Sequence, residues 1–351
     1  MIAGFLSSSC KKRCDDGKKN QKEEEIDCGG SCRPCSDCSD GVQSGSETGV
    51  DCGGDCASCA SVYQFKKVVS GTTSALKKVD CFGSNCAAIG EGGLILISLD
   101  KGVTWNAVSS GSSNELFGVN VYEKTIFITG ENGLIKKSTD LGQSFTDIVI
   151  RNRDKVQWNG VLFFNNDTGI VCGSKLSISF TNDGGITWKS SKYSFDSQRS
   201  FYGFSAPAKN ALYAVGDNNI QLSSDFGENW NQISLSNDNP DIKNLTDVYY
   251  ASSTRAFITG ESSMLFSNNS IEWYDKALYT SFGGLSFGTN NGLYAGRDVE
   301  NERGKILETL DSGVTWRQIP LLNESVRFND CFIIDESNSI IIGEGGTILR
   351  R

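Results

Sequence analysis

The chain has 351 residues, a formal net charge of −9 and 38% hydrophobic residues, which is enough for a core. The negative charge argues against a nucleic-acid partner, and no apolar run approaches the roughly 18 residues of a membrane span. Because the sequence has no histidine, it excludes Ser-His and Cys-His nucleophiles and His-ligated metals.

The N-terminal segment lacks the features of a secretory signal peptide. The apolar stretch at residues 2–6 is far shorter than the roughly 7–15 residues of a signal core. We therefore expect either a processed or truncated form, or export by another route.

Residues 1–60 form a predicted cysteine-rich head that contains two repeats with a period of 24 residues, at 14–35 and 38–59. The recurring cysteines are Cys14, Cys28, Cys32 and Cys35, then Cys38, Cys52, Cys56 and Cys59. A unit this small buries too little apolar surface to fold alone, so we expect two disulfides per repeat and an oxidising compartment. Their connectivity stays open. A zinc or iron–sulfur site built on Cys28, Cys32, Cys35 and Cys38 is the alternative.

The head carries two further signals. Cys10 lies outside the duplication, and an odd cysteine in an exported protein predicts an intermolecular bridge or a free thiol. The acidic residues that recur are Asp16 and Asp40, Glu23 and Glu47, and Asp27 and Asp51. They favour turn chemistry, with Ca²⁺ binding as the alternative. The duplication resembles the short DCGG-type cysteine repeats of exported proteins.

Residues 61–351 carry six copies of a turn with the pattern Ser/Thr-x-Asp-x-Gly-x-Thr-Trp, the Asp-box or BNR repeat. The copies are at 98–105, 138–145, 181–188, 223–230, 267–273 and 309–316. In the first copy we expect Asp100 to accept backbone N–H groups of its own turn and Gly102 to take a positive φ. Thr104 and Trp105 are predicted to begin a strand. Such turns are scaffold rather than chemistry.

A second repeated signal is an apolar run that ends in a glycine, here called the marker glycine. The marker glycines are Gly90, Gly130, Gly173, Gly216, Gly260, Gly296 and Gly343. Their period lies within the roughly 40–45 residues of a four-stranded propeller blade. A further strand precedes each apolar run, and helical patterns are absent. The sequence therefore predicts an all-β, seven-bladed β-propeller.

Ring closure is predicted from the two ends of the array. The seventh repeat has no Asp-box of its own, and residues 62–70 form a strand without a repeat. Phe65 and Val68 have the spacing of Trp105 and Val108. We therefore expect residues 62–70 to supply the outer strand of the last blade, with Phe65 in the tryptophan position, which closes the ring and removes the open sheet edge.

This array is similar to the seven-bladed Asp-box propellers of the Ycf48-like photosystem II stability/assembly factors. The resemblance covers about four-fifths of the chain and rests on the cadence G-E-x-G…S-x-D-x-G-x-T-W, as at 90–105. It implies the propeller fold and a protein partner. Other Asp-box propellers are sialidases, glycoside hydrolases and sorting receptors, but the sialidase Phe/Tyr-Arg-Ile-Pro segment is missing. The cysteine-rich head fits poorly with a photosynthetic role.

The residue after each marker glycine lies on the face opposite the Asp-boxes. These residues are Glu91, Glu131, Ser174, Asp217, Glu261, Arg297 and Glu344. Five are acidic, which predicts an incomplete acidic ring for a cation or basic ligand, while hydrophilic turn residues are the alternative. No pair of carboxylates is singled out for glycoside hydrolysis.

The remaining cysteines and glycosylation sequons complete the candidate residues. Cys81 and Cys86 are predicted to form a disulfide across the first hairpin, with Cys81–Cys331 as the alternative, and Cys172 reads as a buried thiol. N-glycosylation sequons begin at Asn166, Asn244, Asn268 and Asn323.

Together these signals favour a secreted or cell-surface, non-enzymatic structural or adhesive protein. It would self-associate, as in a surface fibre. A Ycf48-like assembly factor that binds a partner protein is the second interpretation, and a glycan-acting hydrolase is the third.

Overall fold

The computed structural model describes Gly45, Gly54 and residues 65–351, except for 192–198, 209–210, 218, 234–243, 252–254, 262–263, 270–272, 277, 279 and 322–324. Residues 65–351 form one compact unit. The eight cysteines of the predicted head repeats, Cys10 and the alternative Ca²⁺ site lie outside the described residues.

The described residues form seven antiparallel four-stranded sheets, each of which is one blade of a propeller. The prediction of an all-β, seven-bladed propeller is confirmed. Apart from two short 3-10 turns, Glu91–Gly93 and Glu344–Gly346, the described part of the chain contains no helix.

Each blade runs from an inner strand at the central axis to an outer strand at the rim. The strands of blades 1 to 4 are Leu76–Phe82, Asn85–Gly90, Leu94–Ser98 and Asn106–Ser109; Leu116–Tyr122, Thr125–Gly130, Ile135–Ser138 and Thr146–Asp147; Trp158–Phe163, Gly169–Gly173, Ile178–Thr181 and Lys189–Ser190; and Phe201–Ala208, Ala211–Gly216, Asn219–Ser223 and Asn231–Ile233.

Blades 5 and 6 follow the same order, and blade 7 takes its first three strands from the end of the array. Their strands are Asp247–Tyr250, Ala256–Thr259, Met264–Ser267 and Tyr274–Asp275; Thr280–Phe287, Gly292–Asp298, Gly304–Thr309 and Arg317–Gln318; and Phe328–Ile333, Ser339–Gly343 and Ile348–Arg350.

The outer strand of blade 7 comes from the beginning of the array. Lys66–Val68 pairs antiparallel with Ile348–Arg350, with Lys67 opposite Leu349. The predicted closure is therefore confirmed, over a shorter segment than 62–70. Phe65 packs on the core between blades 6 and 7. It occupies the tryptophan position, as predicted.

The hydrophobic core lies between neighbouring blades, where each Asp-box aromatic packs on the blade before its own. Trp105 of blade 1 belongs to a buried cluster with Ile340 of blade 7, and Trp230 of blade 4 to one with Ile170 of blade 3. Truncating a buried aromatic of this kind to alanine costs about 3–5 kcal/mol. The repeated tryptophan therefore joins blades rather than building a site.

The Asp-box turn is closed by its own side chains, as expected. The Gly102 N–H donates to Ser98 Oγ at 2.8 Å, and the Thr104 N–H donates to Asp100 Oδ1 at 2.9 Å. Gly102 has φ of 79°. The preceding residue, Lys101, also takes a left-handed φ of 57°, which the sequence pattern did not predict.

The prediction that Thr104 and Trp105 begin a strand is wrong. The strand is Asn106–Ser109. The turn extends through Trp105 because its indole Nε1–H donates to the carbonyl of Gly102 at 3.1 Å.

Side chains link the inner strands of adjacent blades. Asn120 Oδ1 of blade 2 accepts the N–H of Phe163 in blade 3 at 2.9 Å. Ser286 Oγ of blade 6 accepts the N–H of Ile333 in blade 7 at 2.9 Å. These inner strands belong to different sheets, so polar side chains satisfy backbone donors that a sheet neighbour would otherwise bind.

Candidate functional site

The marker glycines allow two segments of one blade to approach closely at the loop face, the face that carries the connections between second and third strands. A Cβ on Gly216 would lie 1.9 Å from the carbonyl oxygen of Ser200. The Asp217 N–H donates to that oxygen at 3.0 Å, and the Ser200 N–H donates to Asp217 Oδ2 at 2.8 Å. The loop carboxylate is thus held by a bracket of two hydrogen bonds.

The same bracket occurs in blades 1, 2 and 3. Glu91 and Glu131 each accept the N–H of the residue before the inner strand, at 3.4 and 3.3 Å. In blade 3 the acceptor is Ser174 Oγ, which binds the N–H of Gln157 at 3.0 Å. Because a hydroxyl serves equally, the bracket needs a hydrogen-bond acceptor rather than a negative charge.

The remaining acidic positions, in blades 5 and 7, have other partners. Glu261 is exposed and accepts a hydrogen bond from Asn244 Nδ2 at 2.7 Å. Glu344 Oε1 lies 3.5 Å from a guanidinium nitrogen of Arg297 and 3.9 Å from one of Arg327. The repeat thus brings Glu91, Glu131, Asp217, Glu261 and Glu344 to equivalent positions on the loop face. Their binding of a cation or basic ligand stays a prediction.

Arg297 is not a loop residue, contrary to the prediction. It lies inside the strand Gly292–Asp298. The second hairpin of blade 6 is longer than in the other blades, because the Asp298 N–H donates to the carbonyl of Arg303 at 2.8 Å and extends the pairing past Gly296.

A central cavity of about 460 Å³ is lined by residues from the inner strands of all seven blades. Gly118, Gly160 and Gly203 occupy the third position of their inner strands and face this space. Because these glycines carry no side chains, the inner strands of neighbouring blades can approach closely around the cavity: a Cβ on Gly118 would lie 3.0 Å from the Cα of Gly160, and one on Gly203 would lie 3.1 Å from the Cα of Asp247.

In three blades a charged residue takes the place of this glycine, opposite the residue that precedes the marker glycine. Lys78 of blade 1 lies between Asp247 of blade 5 and Asp330 of blade 7, with its Nζ 3.3 Å from Asp247 Oδ2 and 3.6 Å from Asp330 Oδ1. Asp330 Oδ2 also accepts the N–H of Val79 at 2.9 Å. Lys78 keeps 28% of its side-chain surface accessible and is among the residues that line the cavity.

A third cavity carboxylate belongs to Asp80, two residues after Lys78. Its Oδ2 accepts the N–H of Val121 at 2.6 Å and the amide of Asn120 at 2.9 Å. These donors belong to blade 2, so Asp80 links blades 1 and 2 while lining the cavity.

Burial shifts the pKa values of these groups. It raises the pKa of Asp80 to about 7, against the hydrogen bonds from Val121 and Asn120. Burial raises the pKa of Asp330 to about 6, with Lys78 opposing the shift and Asp247 adding to it. Burial disfavours the charged form of Lys78, but the two aspartates outweigh that effect and raise its pKa above the ordinary value. Strongly shifted groups in a cavity are typical of functional sites.

Sequence reasoning missed this cavity and its charged residues. The signal was a break in the repeat: the inner-strand residue that pairs with the residue before the marker glycine is glycine in blades 2, 3, 4 and 6 but Lys78, Asp247 and Asp330 in the others. A charged residue where the repeat has glycine marks a side chain that meets the inner strands of other blades near the axis.

The predicted disulfide between Cys81 and Cys86 is present. The two residues face each other directly in the first hairpin, so the alternative pairing of Cys81 with Cys331 is wrong. Cys172 and Cys331 are buried free thiols, as predicted for Cys172. Burial raises the pKa of both thiols.

Three sequon asparagines are exposed and hydrogen-bonded, and Asn323 lies outside the described residues. Asn166 Nδ2 donates to Glu123 at 3.2 Å, and Asn268 Oδ1 accepts a bond from Arg255 at 3.1 Å. Asn244 Nδ2 donates to Glu261 at 2.7 Å. Their glycosylation stays a prediction.

The part of the chain that the structure describes contains no helix that is long and apolar enough to cross a membrane. No group of three or more Cys, Asp or Glu side chains there has the arrangement of a metal site.

A protein-family model matches part of the array. The model of the photosynthesis system II assembly factor YCF48 matches residues 155–242, which hold blades 3 and 4. None of the curated proteins matches the chain by sequence.

Solved structures share the propeller fold. A structure described as YCF48 bound to D1 peptide has 17% identity and a TM-score of 0.66, over 82% of this chain and 94% of that one. YCF48 from Cyanidioschyzon merolae has 17% identity and a TM-score of 0.67, over 82% and 98%. A streptogramin B lyase has 13% identity and a TM-score of 0.66, over 82% and 96%. The family match and the shared fold confirm the predicted resemblance to Ycf48-like propellers.

These findings correct the main functional expectation. The family model and the two YCF48 structures point to an assembly factor rather than to an extracellular structural or adhesive protein. The predictions of a fibre subunit and of a secreted or cell-surface location are therefore wrong, and nothing supports a self-associated polymer or a glycan ligand. Those expectations rested on the cysteine-rich head, whereas the matches fall on the propeller.

Proposed function

We propose that this chain is a non-enzymatic assembly factor that binds a segment of a partner protein on its loop face. The observation that carries the proposal is the match of blades 3 and 4 to the YCF48 family model. A propeller of the same fold, YCF48, is described as bound to D1 peptide, which is the type of ligand that we propose here.

The chemistry of the cavity supports binding rather than catalysis. Asp247 and Asp330 share the ammonium of Lys78, and Asp80 accepts two hydrogen bonds from blade 2. A nucleophile or general base must be able to reach the reacting atom, and these carboxylates are committed to holding blades together. One propeller neighbour is a lyase, so fold alone does not decide this point.

The loop face is the better candidate for recognising one particular partner. Asp-box turns repeat nearly the same residues, and their own side chains satisfy their backbone donors. The connections between blades on the loop face differ in length: residues 276–279 join blades 5 and 6, residues 110–115 join blades 1 and 2, and residues 148–157 join blades 2 and 3. Loops that vary on a rigid scaffold are where recognition usually resides.

Site-specific photo-cross-linking tests the proposal. A benzophenone side chain is placed at Lys155 on the loop face or at Val103 on the Asp-box face, both exposed. In cells of the source organism we expect adducts with one defined polypeptide from Lys155 and at least tenfold fewer from Val103. Equal yields from both faces, or no defined adduct from Lys155, would contradict the proposal.

A charge-neutral variant tests whether the acidic ring contributes. Changing Glu91, Glu131, Glu261 and Glu344 to glutamine and Asp217 to asparagine keeps an oxygen acceptor for each bracket. We expect an unchanged melting temperature and at least a tenfold lower adduct yield from Lys155. An unchanged adduct yield would show that the five acidic residues stabilise the loops and do not contribute to partner binding.

A further inference from the structure

The cavity carries an excess of negative charge. Its lining includes one base, Lys78, and three carboxylic acids, Asp80, Asp247 and Asp330. Lys78 bridges two of the acids. The groups that donate hydrogen bonds to Asp80 are neutral, so they do not neutralise its negative charge. A charge excess in so buried a place costs free energy unless a cation enters or protons bind.

Aromatic rings line the same space and are independent of the carboxylates. They belong to Phe117, Phe164, Tyr202, Phe204, Tyr249, Tyr250 and Phe332. Aromatic faces attract organic cations, and the attraction is greatest where water is excluded. The volume of about 460 Å³ lies within the roughly 300–1,000 Å³ of small-molecule sites.

From the carboxylates, the rings and the open volume we infer that the central cavity binds an organic cation, an alkylammonium or guanidinium group. A hard divalent ion fits less well, because it needs several oxygens that converge at about 2.3–2.6 Å. Here Asp330 and Asp80 already accept N–H donors from neighbouring strands. An organic cation, whose charge is spread over several atoms, can instead be bound by the negative potential of the carboxylates and by contact with the aromatic rings.

The cation has two sources with the same chemistry, a free amine or the side chain of a lysine or arginine in a polypeptide segment. Free probes are n-butylammonium, choline and guanidinium, with 1-butanol as the neutral control. The polypeptide arm uses the peptide Gly-Gly-Lys-Gly-Gly against Gly-Gly-Gln-Gly-Gly, both acetylated and amidated. These arms need no partner protein, so their failure and the failure of the proposed function are distinguishable.

Isothermal titration of the full chain at pH 6.5 tests the inference. We expect saturable binding of at least one cationic probe and none of the neutral ones. Binding should release protons, seen as a heat that depends on the buffer, because a bound cation favours ionised Asp80 and Asp330. No saturable cation binding, or binding without proton release, would overturn the inference.

Matched variants locate the site. Asp80→Asn keeps an acceptor for Val121 and should weaken the binding of the same probe at least tenfold, whereas Asp167→Asn on the exposed surface should leave it unchanged. If Asp80→Asn fails to fold, Phe117→Leu removes a lining ring instead and should weaken binding severalfold. Wild-type affinity in the folded Asp80→Asn protein or in the Phe117→Leu protein would place the cation elsewhere.

Discussion

Aspartates serve this propeller in two opposite electrostatic environments. In the Asp-box of blade 3, the hydroxyl and the N–H of Thr187 donate to Asp183 and lower its pKa to about 2. In the cavity, burial raises the pKa of Asp80 to about 7. A lowered pKa contributes stability that is present above the ordinary value near 4 and is lost as the pH falls through about 2. A raised pKa acts in the opposite direction.

The raised pKa of Asp80 predicts an unusual pH dependence of folding. The folded state holds this proton more tightly than the unfolded state, so the contribution is fully present below about pH 4 and is lost as the pH rises through about 7. We expect the free energy of unfolding, measured by urea denaturation, to fall between pH 5 and pH 8. In Asp80→Asn this decrease should be smaller, while Asp167→Asn should keep the wild-type profile. An identical decrease in Asp80→Asn would contradict the assignment.

The marker glycines show what a repeat can and cannot reveal at the scale of a strand. Their spacing predicted seven blades correctly, because each blade must cover the same distance from axis to rim. The sequence could not show why these positions require glycine. The requirement comes from the carbonyl of a residue some sixteen positions earlier, as with Gly216 and Ser200. Contacts between distant residues leave no local pattern.

Two glycine substitutions separate this close approach from backbone conformation. Gly216→Ala puts a Cβ 1.9 Å from the Ser200 carbonyl, whereas Gly83→Ala meets nothing within 4 Å but has φ of 62°. We expect Gly83→Ala to cost about 1–2 kcal/mol through strain alone. Gly216→Ala should cost more than that, because the bracket of Asp217 must open. Urea denaturation measures both, and equal costs would show that the close approach is not what selects glycine.

The candidate sites illustrate the same limit. The ring positions followed from periodicity, except for Arg297, whose hairpin is longer in blade 6. The cavity cluster joins Lys78, Asp247 and Asp330 across up to 252 sequence positions, from Lys78 to Asp330, and only the closed ring brings them together. Sequence periodicity therefore predicts equivalent positions well, and it predicts the exceptions to the repeat poorly.

At the scale of the whole molecule, contacts on both sides of blade 7 hold the ring closed. The buried Glu308 of blade 6 forms ion pairs with Arg317 and Arg351. On the other side, the Arg350 guanidinium donates to the carbonyl of Lys101 in blade 1 at 2.9 Å. Removing one partner of a buried ion pair leaves an uncompensated buried charge, which is costly. Ring closure and the packing of blade 7 against its neighbours therefore depend on each other.

The outer strand of blade 7 should decide whether the ring closes stably. A chain that begins at Phe65 keeps every pairing of Lys66–Val68 with Ile348–Arg350, while one that begins at Gly71 exposes an open strand edge and removes Phe65 from the core. We expect the first to melt near the full chain and the second to melt on the order of 10 °C lower, since burial of one aromatic alone is worth about 3–5 kcal/mol.

Calorimetry on the two truncated chains measures this difference. Phe65→Ala in the full chain separates the aromatic contact from the strand pairing, because it leaves the backbone hydrogen bonds of Lys66–Val68 in place. Its melting temperature should fall between those of the two truncated chains. If the chain beginning at Gly71 melts at the same temperature as the full chain, blades 7 and 1 stay packed together without the outer strand of blade 7. Closure would then rest on the inner-strand contacts, such as the hydrogen bond from Val79 to Asp330.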